Sequence, residues 1–505
     1  MMGLTNESLD FIYRQQKELS VLGGIGALLG WDQMTYMPQK GASERGEQTS
    51  LLSSLAHRRV VSDEFWKHIT HLKKETVFSE LSTEDQHVVR RLYIDVEKSR
   101  KVPEDFVKRS AKITTMAYPA WQQARNKSDF SVFQPHLEKI LELQKEYCGY
   151  INLPGPRYDT LLDDYEEGMT TEKLRTEFTL LKKKLKTILD KVLSSDTYEH
   201  QQDLSINFPK NVQQKICNHI FNQMNLPSDA SRIDESTHPF TTSLGNDDVR
   251  ITTNYDRENP LFSFFSTVHE AGHALYELGM PTGKYKDTAI ADSPSLGLHE
   301  SQSRFWENMI ARSKPFWKFY YDEFKKQAGS QLNNGSFETW YRHVNTVQPS
   351  FIRVEADELT YCLHVILRFE LESDLMEEKL DVSELPQAWN EKMKDSLGIT
   401  PPNDKEGVLQ DMHWSGGAIG YFPTYAIGSI YSAQLFDELE KDRFETINEI
   451  QNGEFNNILS WLRKNVHQYG RMMTADEIIK QTCGEGLNAE KYTKYLSEKY
   501  LTLYG

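Results

Sequence analysis

The sequence predicts a mainly α-helical fold of two lobes with one small antiparallel β-sheet, on three observations. Apolar residues recur at helical spacing through most of the chain, and only Thr237 to Tyr255 alternates β-branched with polar residues. At 505 residues the chain also exceeds the roughly 250 to 300 at which a single hydrophobic core stops growing. The expectation is one unit, residues 1–505, whose lobes border a cleft. A net charge of -16 disfavours nucleic acid and anionic membranes as partners, because both select basic patches. Cys148, Cys217, Cys362 and Cys483 lie far apart with no C-x-x-C pair, which suits a reducing cytoplasm. The first residues lack the basic region and apolar run of a signal peptide, and Leu19 to Trp31 is too short and too interrupted by glycine to cross a membrane.

Taken in order, Ser8 to Leu19 and Ser62 to Lys73 read as helices with charged faces, separated by a segment that Met37-Pro38 interrupts. From Pro103 to Tyr150 the apolar residues keep helical spacing, and Asn152 to Pro156 breaks it. Helical patterning returns over Thr171 to Leu193 and Val212 to Met224. The lysines at 182–186 alternate with leucine and read as a solvated helix face rather than a binding patch. Thr237 to Tyr255 then turns at Gly245 to Asp248 and reads as a hairpin, whose exposed edge could hold an extended peptide by main-chain hydrogen bonds. Pro260 starts a helix that Gly279 and Pro281 stop, and Ser293-Pro294 starts another that runs through SLGLHESQSRFWENMIARS. Phe316 to Gln327, Glu338 to Thr346, Phe351 to Glu378 and the chain from Tyr425 are expected helical, with a glycine- and aromatic-rich passage after Gly407.

The chemistry is concentrated in the helix after Pro260, where His269, Glu270 and His273 form H-E-x-x-H. On a helix two histidines four residues apart leave one face at a spacing suited to a single metal ion, while Glu270 reaches its edge as a base rather than a ligand. Gly272, between the histidines, would let another element approach closely. A catalytic zinc needs a third protein ligand and an open position for water. Glu300, in LHESQ on the next helix, is the preferred candidate; His299, Glu307 and Asp292 stay open on spacing. Zinc would lower the pKa of its water and polarise a carbonyl, and Glu270 would carry the proton to the leaving amine. His413, Tyr421 and Tyr425 are candidate donors to the oxyanion.

Six segments together resemble one family. His238-Pro-Phe, Asp248-Val-Arg-Ile-Thr, H-E-A-G-H, His299-Glu-Ser-Gln302, Ile352-Arg-Val-Glu-Ala-Asp357 and Gly407-Val-Leu-Gln-Asp-Met-His-Trp414 are similar, in content and order, to the motif set of the carboxypeptidase Taq family. WDQMTYMP, from Trp31, extends the likeness across nearly the whole chain. The resemblance implies a metal-dependent carboxypeptidase of broad specificity that trims peptides from the C-terminus and tolerates C-terminal proline poorly. It implies a neurolysin-like helical fold with a long groove between two halves, the active-site region spanning about residues 237–430, and a homodimer. It also implies His269, His273 and Glu300 as ligands of one zinc per subunit, which cobalt or manganese could replace, and Glu270 as base. His238, His299, Gln302 and Asp411, inside the motifs, are expected to face substrate.

An exopeptidase must recognise a terminal carboxylate in a fairly dry groove, which a fixed guanidinium does with paired hydrogen bonds. Arg353 is the preferred anchor, and Arg250 is expected rather to brace the hairpin through a nearby acid. Two alternatives remain: an oligo-endopeptidase of the same fold, and a non-catalytic, zinc-stabilised peptide-binding protein, in which Glu270 would have no use.

Overall fold

The structure, a computed structural model, describes residues 2–201, 206–332 and 336–505. Helices dominate, and the sheet has three strands, β1 (Ser231–Glu235), β2 (Thr241–Gly245) and β3 (Asp248–Thr253), ordered β1-β3-β2. β2 and β3 form the expected hairpin, but the sheet is mixed rather than purely antiparallel, because β1 lies parallel to β3 with Ser231 opposite Val249. Ser-Arg-Ile-Asp-Glu has one apolar residue, so β1 carries no alternation by which to recognise it.

The chain opens with a 34-residue helix, Met2–Thr35, which runs unbroken through the glycines of the Leu19 to Trp31 stretch. Gly24 marks where this helix crosses β2: a Cβ there would stand 2.5 Å from the Leu244 carbonyl oxygen. One turn from its end, Trp31 lies beneath the guanidinium groups of Arg250 and Arg232, 4.5 and 5.4 Å from its ring centre, and Tyr36 donates to Asp234 at 2.8 Å. The WDQMTYMP segment thus clamps the sheet from outside. The helix that follows, Ala42–Val60, buries none of its residues.

Buried apolar side chains form two clusters. The smaller contains Ile12, Phe65, Ile69, Val88, Val89 and Leu92, closed by Ile290 from far along the chain, and the larger holds most of the remaining core. Ion pairs join the two regions, among them Arg91 with Glu167, Lys98 with Asp163 and Arg471 with Asp95.

Two expected helices are subdivided. Pro103 to Tyr150 is a pair, Glu104–Lys127 and Gln134–Ile151, parted where Ser128 turns left-handed at φ 53°. Of Phe351 to Glu378 only Tyr361–Met376 is α-helical, because the Asp357 carboxylate accepts from the backbone of Leu359 and Thr360 at 2.9 and 3.0 Å and starts the helix late. Arg353–Glu355 upstream is a single tight turn. Near the site, the metal helix Pro260–Glu277 packs on the glutamate helix Leu296–Arg304, which widens into a fully buried π-helical segment, Phe305–Ala311. The helix Pro423–Asp442 packs on the glutamate helix and its π-helical continuation.

Candidate metal centre and active site

Proline at the first turn and burial on most sides make Pro260–Glu277 a core helix that carries His269, Glu270 and His273. His269 and His273 aim Nε2 at one carboxylate oxygen, Glu300 Oε2, at 3.5 and 3.4 Å. The three ligand atoms all lie within 4.8 Å of one another. Two imidazole nitrogens and a carboxylate oxygen converging at this spacing fit a tetrahedral cation with one position left open.

Two glycines allow the approach. A Cβ on Gly272 would stand 2.7 Å from the Gln302 carbonyl oxygen and 2.8 Å from Ser303 Cα, so the metal and glutamate helices meet backbone to backbone, as the spacing suggested. A Cβ on Gly428 would stand 2.6 Å from Glu300 Cγ, so the helix Pro423–Asp442 seals the carboxylate from behind. Contacts of residue 299 with 277, 300 with 273 and 307 with 269 show that the first two helices run antiparallel.

Each candidate ligand is itself held. Glu307 Oε2 meets His269 Nδ1 at 2.8 Å and keeps Nε2 toward the centre. Arg304 donates to Glu300 Oε1 at 2.7 Å, lies 3.3 Å from Glu307 and stacks over Tyr361 at 4.3 Å, while Arg312 lies 3.1 Å from the other Glu307 oxygen. Ser303 donates to Glu300 Oε2 at 3.0 Å. Burial disfavours the charged His269 ring, yet Glu300 and Glu307 push its pKa up to about 10; burial beside His299 pushes His273 down to about 3. His299 lies with Nδ1 2.6 Å from His273 Nδ1 and Nε2 2.8 Å from Glu277, so both its nitrogens are taken.

Glu270 points to the sheet side. Thr241, at the start of β2, donates to Glu270 Oε2 at 2.6 Å and lies 2.9 Å from the Glu270 carbonyl, and burial raises the carboxyl above the usual carboxylate range. The hairpin therefore fixes the candidate base.

A second polar cluster lies beyond Tyr361. Arg353, almost completely buried, donates through Nε and Nη2 to Asp411 Oδ1 at 3.2 and 2.9 Å and through Nη1 to the Tyr361 hydroxyl at 3.3 Å. Arg368, fully buried, donates to the other Asp411 oxygen and to Gln410 at 2.7 and 2.8 Å. Burial opposes ionisation of Asp411, but the two guanidiniums hold it well below the usual carboxylate range. Arg353 also lies over the rings of Tyr425 and Phe422, at 4.9 and 5.4 Å. The hydroxyls of Tyr421 and Tyr425 are 3.3 Å apart; His413 stacks on Tyr421 with centroids 5.2 Å apart, and burial pushes its pKa down to about 4.

Residues 11–500 match the carboxypeptidase Taq (M32) metallopeptidases. The chain belongs to this family. It is 38% identical over 498 residues to thermostable carboxypeptidase 1 of Pyrococcus furiosus, covering 98% of this chain and 99% of that protein. It is 38% identical over 488 residues to carboxypeptidase 1 of Bacillus subtilis, covering 97% of each. The crystal structure of the M32 carboxypeptidase from Deinococcus radiodurans R1 superposes with a TM-score of 0.95 at 37% identity, covering 99% of this chain and 100% of that one.

Within this M32 metallocarboxypeptidase the other singled-out residues fall in different places. Arg250 closes a paired contact on Asp248 at 2.8 and 2.7 Å, next to Trp31. His238 is exposed between β1 and β2, and its carbonyl accepts from Ser236 at 2.6 Å. Gln302 is fully buried, its amide nitrogen donating to Ser301 at 2.9 Å and its oxygen 3.0 Å from His467 Nε2. Asp292 is exposed, near enough to Glu277 for the two carboxyls to repel, and is not among the triad. Sequence reading did not single out Glu277, Arg304, Arg368, Thr241 or Gly428. Glu277 and Arg304 had a signal, each standing four residues after a candidate ligand on the same helix face.

Proposed function

We propose that this M32 protein is a zinc-dependent carboxypeptidase that releases residues one at a time from peptide C-termini with broad side-chain tolerance. His269, His273 and Glu300 would hold the ion, since their free Nε2 and carboxylate atoms converge while the opposite nitrogens are occupied. When bound, zinc supplies a Lewis acid that acidifies water and polarises the scissile carbonyl. Glu270 takes the proton of the attacking water and returns it to the leaving amine; its raised pKa, set by burial, suits a group that must do both. Thr241 keeps that carboxylate on the sheet side, and Tyr421 and Tyr425 offer hydroxyl donors to the oxyanion.

The observation that favours terminal over internal cleavage is the Arg353 cluster. One carboxylate, Asp411, faces two guanidiniums, and His413 is neutral at pH 7, so the cluster keeps a net positive charge. Arg353 spends three of its five N–H donors on Asp411 and Tyr361, which leaves one on each terminal nitrogen for a substrate carboxylate. Two apolar clusters support a two-lobed catalytic unit with the groove between them. Four free cysteines support a reducing cytoplasm, and among the described residues no helix is long and apolar enough to cross a membrane. Cobalt or manganese would be tolerated at a His-His-Glu site, and the family resemblance supports a homodimer.

The deciding experiment is a timed mass-spectrometric ladder on peptides with free and amidated C-termini, with and without chelator. Successive single losses from the free peptides, abolished by chelator, are expected. Internal cleavage of amidated peptides at a comparable rate would instead make the protein an oligo-endopeptidase.

A further inference from the structure

The two candidate histidine ligands are held in unlike ways. His269 meets a carboxylate directly, whereas His273 meets another imidazole, His299, whose far nitrogen meets Glu277. Two facing Nδ1 atoms 2.6 Å apart can bond only if one carries a proton and the other does not. Nothing within that pair decides which. Glu277 bears on the choice: a carboxylate only accepts, so whenever His299 carries a single proton Glu277 draws it to Nε2, 2.8 Å from Glu277 Oε1. His299 Nδ1 is then a bare acceptor, His273 must carry its proton on Nδ1, and its Nε2 lone pair is left facing Glu300.

We propose that Glu277 is a positioning residue of the metal centre, which acts through His299 to set the tautomer and ring orientation of His273. The proposal rests on the ligand set given above. Glu277 stands one helical turn beyond His273, and His299 directly precedes Glu300, so the relay also staples the two ligand-bearing helices together at one end. Tyr276 closes edge-on against the His299 ring, 5.4 Å between centroids, which keeps the intermediate imidazole from turning away. On its other side Glu277 lines a cavity of about 190 Å³ with Ser20, Gly24, Ser243 and Asn246. A substitution there borders open space rather than packed core.

The test compares E277Q, which retains an acceptor, with E277M, of similar size but without one. Zinc affinity is measured by chelator competition, the visible spectrum is recorded for the cobalt forms, and apo-protein melting serves as the control for folding. E277M is expected to lose about 10- to 100-fold in zinc affinity and to shift the cobalt spectrum, with E277Q staying near wild type. Equal affinities and spectra for the two variants would overturn the proposal. If E277M does not fold, long-range proton–nitrogen spectra of histidine-labelled, zinc-loaded wild type decide: protons on His273 Nδ1 and His299 Nε2 are expected, and a proton on His299 Nδ1 overturns it. His273→Ala separates the two levels, because retention of zinc by that variant defeats the ligand set, whereas its loss with E277M matching E277Q defeats the relay alone.

Discussion

The metal helix and the N-terminal helical pair are both long helical elements set against the same hairpin, and they are built in opposite ways. Pro260–Glu277 is buried over most of its length, and its chemical side chains have each at least one partner. Ala42–Val60 buries nothing, and Val21, Ile25, Leu28 and Leu51 stand exposed along the pair. Met2–Thr35 buries Ser8, Ile12, Gln16 and Trp31 and otherwise reaches the body through separate contacts, such as Gly24 on Leu244, Gln16 on the Ala289 amide and Trp31 under two arginines. Overdetermined positions suit atoms that must hold a cation and a base to a fraction of an ångström, and few-contact elements have low local stability.

The largest effect that would test this contrast lies inside the metal helix. Glu270→Gln should lower kcat by about a hundred- to ten-thousand-fold while zinc stays bound, because the proposed base is lost but the triad and its supports are untouched. Steady-state kinetics with metal analysis checks both halves. Undiminished turnover would show that Glu270 is merely another buried acid of this crowded helix.

A second contrast is in how each region keeps a buried acid, and it sets opposite pH dependences. Glu166 accepts from the Gly297 amide at the start of the glutamate helix, and with no cation paired to it among the described residues its burial pushes the pKa up to about 8. A raised carboxyl binds a proton that the unfolded chain has already released, so its stabilisation is full below about pH 4.5 and is lost as pH rises toward 8. Asp85, in the N-terminal region, is also pushed up by burial, but bonds from Tyr13, Ser82 and Lys284 outweigh this and lower its pKa. Its stabilisation is present above the unfolded value near 4 and is lost as pH falls through the lower folded value. Denaturant unfolding across pH should show E166Q gaining on wild type as pH rises from about 4.5 to 8, by up to roughly 1.4 kcal/mol per unit. D85N should lose ground to wild type at neutral pH and converge with it in acid. The same pH slope in both variants would remove the distinction.

The legible parts of the sequence were those with local period. H-E-x-x-H sits on its helix within a residue or two of the expected ends, and Gly272 is the close-approach point it was read to be. Arg250 found its brace two residues away, on Asp248. What stayed hidden depends on contacts across the chain. Nothing local in Glu166 says that it ends beneath Gly297, nor in Gly428 that it makes room for Glu300. Gln302 shares its segment with Glu300 yet faces the interior, because on a helix a step of two residues turns the side chain to the opposite side. β1 needed a partner strand before its residues read as sheet at all.

Glycine substitution sharpens the comparison at the smallest scale, because one methyl group should act with opposite sign in the two regions. At Gly272 a Cβ would overlap backbone atoms of residues 302 and 303, which no side-chain rotation can relieve, so the two ligand-bearing helices must separate. Gly272→Ala should cost about 1 to 3 kcal/mol and weaken zinc binding, since Glu300 moves away with its helix. At Gly23, in the first helix, nothing lies within 4 Å of the added Cβ, so the methyl meets no obstacle and the residue gains helix propensity. Gly23→Ala should stabilise by about 0.4 to 1 kcal/mol, provided the N-terminal helix unfolds with the rest of the chain. Its neighbour Gly24 supplies the internal control, because a Cβ there strikes the Leu244 carbonyl and should detach the helix from β2. Denaturant unfolding of the three variants, with hydrogen exchange over Met2–Thr35, reads the result. If Gly23→Ala slows exchange in that helix without moving the global midpoint, the N-terminal element opens below the global transition, as its few contacts require. A destabilising Gly23→Ala would mean that this face of the helix is covered in solution and that the contrast with the metal helix is smaller than its contacts indicate.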